Sequence, residues 1–322
     1  MTSKATQLGA RKASAPLRAQ TSIPVIAAPM FLVSTPELVV ACCKAGVIGT
    51  LPAHNCATTQ ALGETLAHIA AQLARCRTRE PDKLISPFGV NVILHKTNPR
   101  ARQDLECCVE HKVPLVITSL GKPSNVIQPI HAHGGLVFSA VATVEHARKA
   151  AASEVDGLIL VCAGAGGHAG TMNPLAFVPA VREFFDGIIA VSGAITTGRA
   201  IRVCEVLGAD FAYMGTRFLA TVESGADPAH KEMVVSCGPE DLIYTAAVTG
   251  VPAHFLRPSL ERAGYDLGDP SRPRLSLDMA DPDEIWRRVW TAGQGLGMVH
   301  SVPTVAELVA QLEAEYAAAL HP

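Results

Sequence analysis

From Pro24 to about Leu219 the chain alternates short apolar runs with longer segments in which apolar residues recur every three or four positions. Short continuous runs suit parallel strands covered on both faces, and the three-to-four spacing marks one buried face of a helix. The pattern predicts eight strands: Val25 to Met30, Val47 to Pro52, Phe88 to Leu94, Leu115 to Leu120, Leu136 to Val141, Gly157 to Cys162, Ile188 to Ser192 and Phe211 to Thr216. Helices are expected over Thr35 to Ala45, Thr58 to Arg77, Ala101 to His111, Val144 to Ala152, Leu175 to Phe185 and Gly198 to Leu207. Eight βα repeats that continue without reversal favour a closed (β/α)8 barrel over a doubly wound open sheet. In such a barrel the chemistry sits where strands end, so a functional residue should follow a strand.

Beyond Thr221 the pattern loosens. Residues 239 to 264 read as helical on Ile243, Ala247, Phe255 and Leu260, Tyr265 to Pro282 reads as a loop rich in Asp, Pro and Arg, and Val305 to Leu320 reads as a final helix. The expected organisation is a disordered basic tail over 1–22, a barrel core over 23–221, a small C-terminal cap over 222–304 near the barrel mouth, and a helix over 305–322 returning to the barrel. The tail reading rests on Lys4, Arg11, Lys12 and Arg18 without one acid among them.

Composition narrows the function. A formal net charge of −2 over 322 residues offers nothing global to nucleic acid or an anionic membrane, so a small-molecule partner is expected. No apolar run is long enough to span a bilayer. The nine cysteines show no C-x-x-C spacing and read as reduced thiols of a cytoplasmic protein, and no metal-ligand spacing stands out.

Candidate chemistry clusters at the predicted strand ends. The sixth strand runs into Cys162-Ala163-Gly164-Ala165-Gly166-Gly167-His168-Ala169-Gly170, a loop nearly free of side chains, in which His168 is the one group suited to proton transfer. Cys162 has no base nearby in sequence and reads as an inert buried thiol. The seventh and eighth strands end in Ser192-Gly193-Ala194 and Met214-Gly215-Thr216, where exposed N–H groups and a helix N-terminus would hold a phosphate without lysine. Met30, closing Ala28-Pro29-Met30, would pack on a flat ring, and the Asn91 amide would meet a heterocycle edge.

These residues resemble the nitronate monooxygenases, formerly called 2-nitropropane dioxygenases, relatives of flavin enoyl-ACP reductases and NAD(P)H:quinone reductases. The resemblance runs from Ile23 to Leu320 and is carried by Ala28-Pro29-Met30 with Ser34-Thr35-Pro36-Glu37-Leu38, Gly89-Val90-Asn91, Ala165 to Gly170, Ser192 to Ile195, Gly215 to Thr221 and Gly293-Gln294-Gly295. It implies a TIM barrel binding FMN, with the phosphate at Gly193, Gly215 and Thr216 and the ring system near Pro29, Met30, Asn91 and Gly166. It implies further that Ala28, Gly167, Ser192, Ala194 and Met214 complete the cofactor site. His168 is implied as the base toward a nitroalkane or the hydrogen-bond partner of its nitro group, with Phe31 and Gln294 near the substrate. The implied reaction takes an alkyl nitronate and O2 to a carbonyl compound plus nitrite, in a monomer or homodimer. Where many relatives have Ala-Gly-Gly this chain has Phe31-Leu32-Val33, an acid is replaced by Gly164 and a glycine by Ala194. Two other readings stay open: an NAD(P)H-dependent quinone or enoyl reductase, and a barrel that carries flavin or a phosphorylated metabolite without turnover.

Overall fold

The computed structural model describes residues 14–248, 250–265 and 285–319. Eight parallel strands close into a barrel: β1 (Val25–Ala27), β2 (Ile48–Pro52), β3 (Phe88–Ile93), β4 (Leu115–Ser119), β5 (Leu136–Val141), β6 (Gly157–Val161), β8 (Ile188–Ser192) and β9 (Phe211–Met214), with a two-residue β7 (Gly167–His168) lying outside it. The ring closes where Ile26 of β1 pairs with Ile48 on one side and Tyr213 of β9 on the other. The eight expected strands are the eight barrel strands, most of them ending one to three residues earlier.

Alternation along each strand divides the core in two. Ile26, Ile48, Ile117, Phe138, Ile159, Ala190 and Phe211 fill the barrel interior, while neighbours such as Val25, Ala27, Val116 and Val191 join the larger cluster between strands and outer helices. Leu17, on a short helix Ala15–Arg18, belongs to the interior cluster, and buried Ser14 donates to Asp210 at 2.7 Å. Residues 14–22 are therefore part of the packed fold rather than of a disordered tail, because one leucine closes the barrel's lower end. Residues 1–13 lie outside the described residues.

The helix after β9 is a single turn, Thr216–Leu219. The final helix Val305–Ala318 takes the place of a longer one, burying Leu308, Leu312 and Tyr316 against helices Gly198–Leu207 and Pro36–Lys44. A capping box of Thr304 and Glu307 fixes its start.

Residues 239 to 264 are not helical as a whole. They form the hairpin strands β10 (Leu242–Thr245) and β11 (Ala253–Leu256), with a 3-10 turn at Pro239–Asp241; among the described residues of this stretch only Arg257–Arg262 is α-helical. The runs Leu-Ile-Tyr-Thr and Ala-His-Phe-Leu pair as Leu242 with Leu256 and Ile243 with Phe255, so a period of two holds where a helical spacing was expected. Strand β11 also pairs with β7, setting Ala253 against His168. The expected loop over Tyr265 to Pro282 falls, after Tyr265, outside the described residues.

Candidate active site

A cavity of about 1390 Å³ opens at the carboxyl ends of the barrel strands. Around its mouth it gathers nearly every candidate residue: Ala28, Pro29, Met30 and Phe31 after β1, Asn91 in β3, Gly166, Gly167 and His168 after β6, Ser192, Gly193 and Ala194 after β8, and Met214, Gly215 and Thr216 after β9. Gln294 is the exception. Its backbone N–H donates to Gly164 O at 2.9 Å and its amide lies 3.5 Å from His254 Nε2, so Gly293 and Gly295 face the cavity in its stead.

The rim is shaped by backbone. Gly193 has φ +124°, and a Cβ there would come within 2.5 Å of Ala163 O, so no side chain fits. Gly215 is different: a Cβ would meet nothing nearer than Met30 Sδ at 3.6 Å, an ordinary contact, so its bare backbone borders the cavity without being packed out. Thr216 Oγ1 accepts from Gly293 N–H at 2.8 Å, leaving its own proton to donate. The expected helix N-terminus beside Gly193 is not open to the cavity, because Glu315 accepts from Gly198 N–H at 2.7 Å and Thr197 caps Ala200. Any anion at this rim must use the loops after β8 and β9 themselves. Asn91 donates its amide to Ile117 O at 3.2 Å and Ser119 Oγ at 2.7 Å, which turns its carbonyl oxygen toward other donors.

The glycine loop is tied down from the cap. His254 Nδ1–H donates to Ala165 O at 2.8 Å, Tyr244 OH donates to Ala169 O at 3.0 Å, and Gly166 packs so closely on Ala292 and Gly293 that a Cβ would fall 2.8 Å from Gly293 N. The His168 ring meets the Trp286 ring edge-on at 5.9 Å; the residue keeps an exposed face on the cavity, and partial desolvation of its charged form holds its pKa below the usual histidine range. Its imidazole is thus neutral at neutral pH and able to accept a proton. Cys162 is fully buried and its thiol is pushed up to about 12, which removes it as a nucleophile at neutral pH.

Sequence reasoning missed the cap's contribution to the cavity: His230, Trp286, Arg287 and Trp290. His230 stacks on Trp290 with centroids 4.9 Å apart and donates Nε2–H to Thr291 O at 3.1 Å. The usable signal was the pair of tryptophans, the only two in the chain, four residues apart. Among the described residues no group of three or more His, Cys, Asp or Glu is placed to hold a metal ion, and no helix is long and apolar enough to cross a membrane.

Comparison with known proteins places the chain in a family. The nitronate monooxygenase family model matches residues 17–315. A nitronate monooxygenase of Paraburkholderia phytofirmans is 27% identical, over 91% of this chain and 92% of that protein. The nitroalkane oxidase structure from Streptomyces ansochromogenes superimposes with a TM-score of 0.76 at 27% identity, covering 94% of this chain and 98% of that one. FabK from Thermotoga maritima gives 0.76 at 26% identity, covering 96% and 97%. The chain belongs to the nitronate monooxygenase family and is a flavin oxidoreductase with a TIM-barrel fold.

Proposed function

We propose that the protein binds FMN at the strand ends and oxidises alkyl nitronates with O2 to a carbonyl compound plus nitrite, His168 serving as base when the substrate arrives as the neutral nitroalkane. The observation that carries this reading is the meeting, in one cavity, of a rim nearly free of side chains with His168, whose pKa is held below the usual histidine range. The rim fits the cofactor: the glycine backbone at Gly193 and Gly215 and the Thr216 hydroxyl, whose proton is left to donate, face the cavity where a phosphate would sit, and Gly215 carries no side chain to obstruct it. Pro29, Met30 and Gly166 would flank the ring system, and the Asn91 oxygen would accept from its edge. Bound there, FMN supplies the electron acceptor that no side chain of this protein can provide.

The protein's own part is binding, orientation and one proton. A nitroalkane must lose its α-proton before it can give up electrons, and neutral His168 takes that proton. A nitronate has already lost it and needs only to be held. Phe31 and Trp286 add apolar surface to the cavity, with the Trp286 ring edge-on to the imidazole at 5.9 Å. Anaerobic mixing of the purified protein with ethylnitronate, and separately with NADH and NADPH, tests the reading through flavin absorbance. Bleaching by nitronate far faster than by either nicotinamide is expected. Rapid bleaching by NADH or NADPH with no response to nitronate moves the protein to the reductases, and no response to any of them marks a carrier without turnover.

A further inference from the structure

The cavity is larger than the roughly 300–1,000 Å³ of ordinary small-molecule sites, and its extra space lies in a definite direction. It continues away from the strand ends into a groove. One wall is the loop after β4, with Leu120, Lys122 and Pro123. The other is a stripe of His146, Lys149, Ala150 and Ser153 along and just beyond helix Val144–Ala151. The spacing of three, four and seven residues places that stripe on one helical face, running about 10 Å down the outside of the barrel. In the closed ring β4 stands four places from β9, directly across the mouth from Gly215. A phosphate held at Gly215 therefore cannot also use Lys122 or Lys149.

The groove is amphiphilic and cationic. Leu120 is 56% exposed, a large apolar side chain held out at the groove wall with φ +55°. Among the described residues the cavity lining carries Lys122, Lys149 and Arg287 against one acid, Asp227, in a chain whose net charge is −2. Lys149 holds Glu145 at 2.7 Å, but both side chains are more than two-thirds exposed, and such a pair yields readily to a better anion.

We infer that the groove receives the far end of an elongated, amphiphilic substrate: an apolar stem along Leu120, Pro123 and Ala150, ending in a carboxylate or phosphate at Lys122 and Lys149, with the reacting carbon at His168. This rests on the reading of the rim and His168 given above and assigns the substrate class to that site. The stem's burial against exposed Leu120 and the terminal charge act together, so neither a short nitronate nor an uncharged long chain satisfies both.

The test titrates the flavin-loaded protein with decanoate, decyl phosphate and decanol by calorimetry, in the wild type and in a Lys122→Glu, Lys149→Glu double variant whose changes lie on exposed positions. Both anions should bind at least tenfold more tightly than decanol, and the double variant should lose about tenfold for the anions while leaving decanol unchanged, with the difference shrinking at high salt. Tighter binding of decyl phosphate marks a phosphorylated arm, and tighter binding of decanoate marks a free acid; either supports the inference. Equal affinity for decanol and the anions, or a double variant that binds the anions as the wild type does, overturns it. Because binding needs no turnover, it is read separately from kinetics: if the nitronate of ω-nitrodecanoate binds in this way yet no nitronate reduces the flavin, the proposed reaction fails and the groove stands.

Discussion

The barrel and the cap face the same cavity with different materials. The barrel presents backbone and small side chains at Ala28, Gly166, Gly193, Ala194 and Gly215, whereas the cap presents rings, at His230, Trp286 and Trp290. The barrel side of the cavity is therefore largely main chain, and the cap side adds flat ring surface. His168 belongs to both. Its loop leaves the barrel after β6, yet its backbone pairs with β11 and its ring rests on Trp286.

The largest effect expected of that division comes from striking each half alone. Gly215→Asp puts a carboxylate on the cavity lining beside Met30 and Ala28, where it repels and obstructs a phosphate; the protein should fold and purify without flavin. Phe255→Ala removes a fully buried ring that packs on Trp286 and Leu260 near the hairpin, a loss of about 3–5 kcal/mol for a core phenylalanine, felt within the cap. It should keep its flavin while nitroalkane turnover collapses. Both tryptophans lie in the cap, so intrinsic tryptophan fluorescence follows the cap and flavin absorbance follows the barrel. If Phe255→Ala releases flavin as fully as Gly215→Asp does, the two halves are one unit and the comparison fails.

A smaller change sharpens the part they share. His168→Asn keeps a polar side chain of similar size without basicity, so turnover of nitroethane should fall about 10²- to 10⁴-fold while most ethylnitronate activity survives. Equal losses on both substrates would instead assign His168 to holding the nitro group.

The two halves also differ in how far the sequence discloses them. The barrel was legible because each strand is buried on both faces and each helix on one, a local pattern repeated eight times. The candidate rim was legible through its glycines, except where other residues take a glycine's place. Leu32 and Ala194 sit at φ +62° and +54°, in left-handed backbone that costs about 1–2 kcal/mol per non-glycine residue and that no side chain announces. The hairpin was not legible, since β11 owes its place to pairing with β7, some eighty residues earlier in the chain. Leu17 was hidden for a similar reason. Among basic neighbours it looks like part of a tail, and only the closed barrel supplies the apolar end it plugs.

The smallest expected effect concerns pH and sets the cap's rings against the barrel's backbone. His168, His230 and His254 all have pKa values held below the usual histidine range, chiefly by burial, and all three lie in the cap or in the loop it clamps. His230 is lowered to about 4, burial against Trp290 outweighing the Thr291 carbonyl that favours its charged form. A folded-state pKa below the unfolded one means that the unfolded chain takes up the proton first. Stability is therefore full above about pH 6.5 and falls as the pH drops toward 4, by about 3 kcal/mol for this one group. Unfolding followed by tryptophan fluorescence should lose that much between pH 7 and pH 4, and a His230→Phe variant, which keeps a ring on Trp290 but cannot charge, should lose about 3 kcal/mol less over the same range. Release of flavin, reporting the barrel, should separate the two proteins much less. A His230→Phe protein as acid-sensitive as the wild type by tryptophan fluorescence would show that the cap's response to acid arises elsewhere, and that the stacked histidine is there for shape alone.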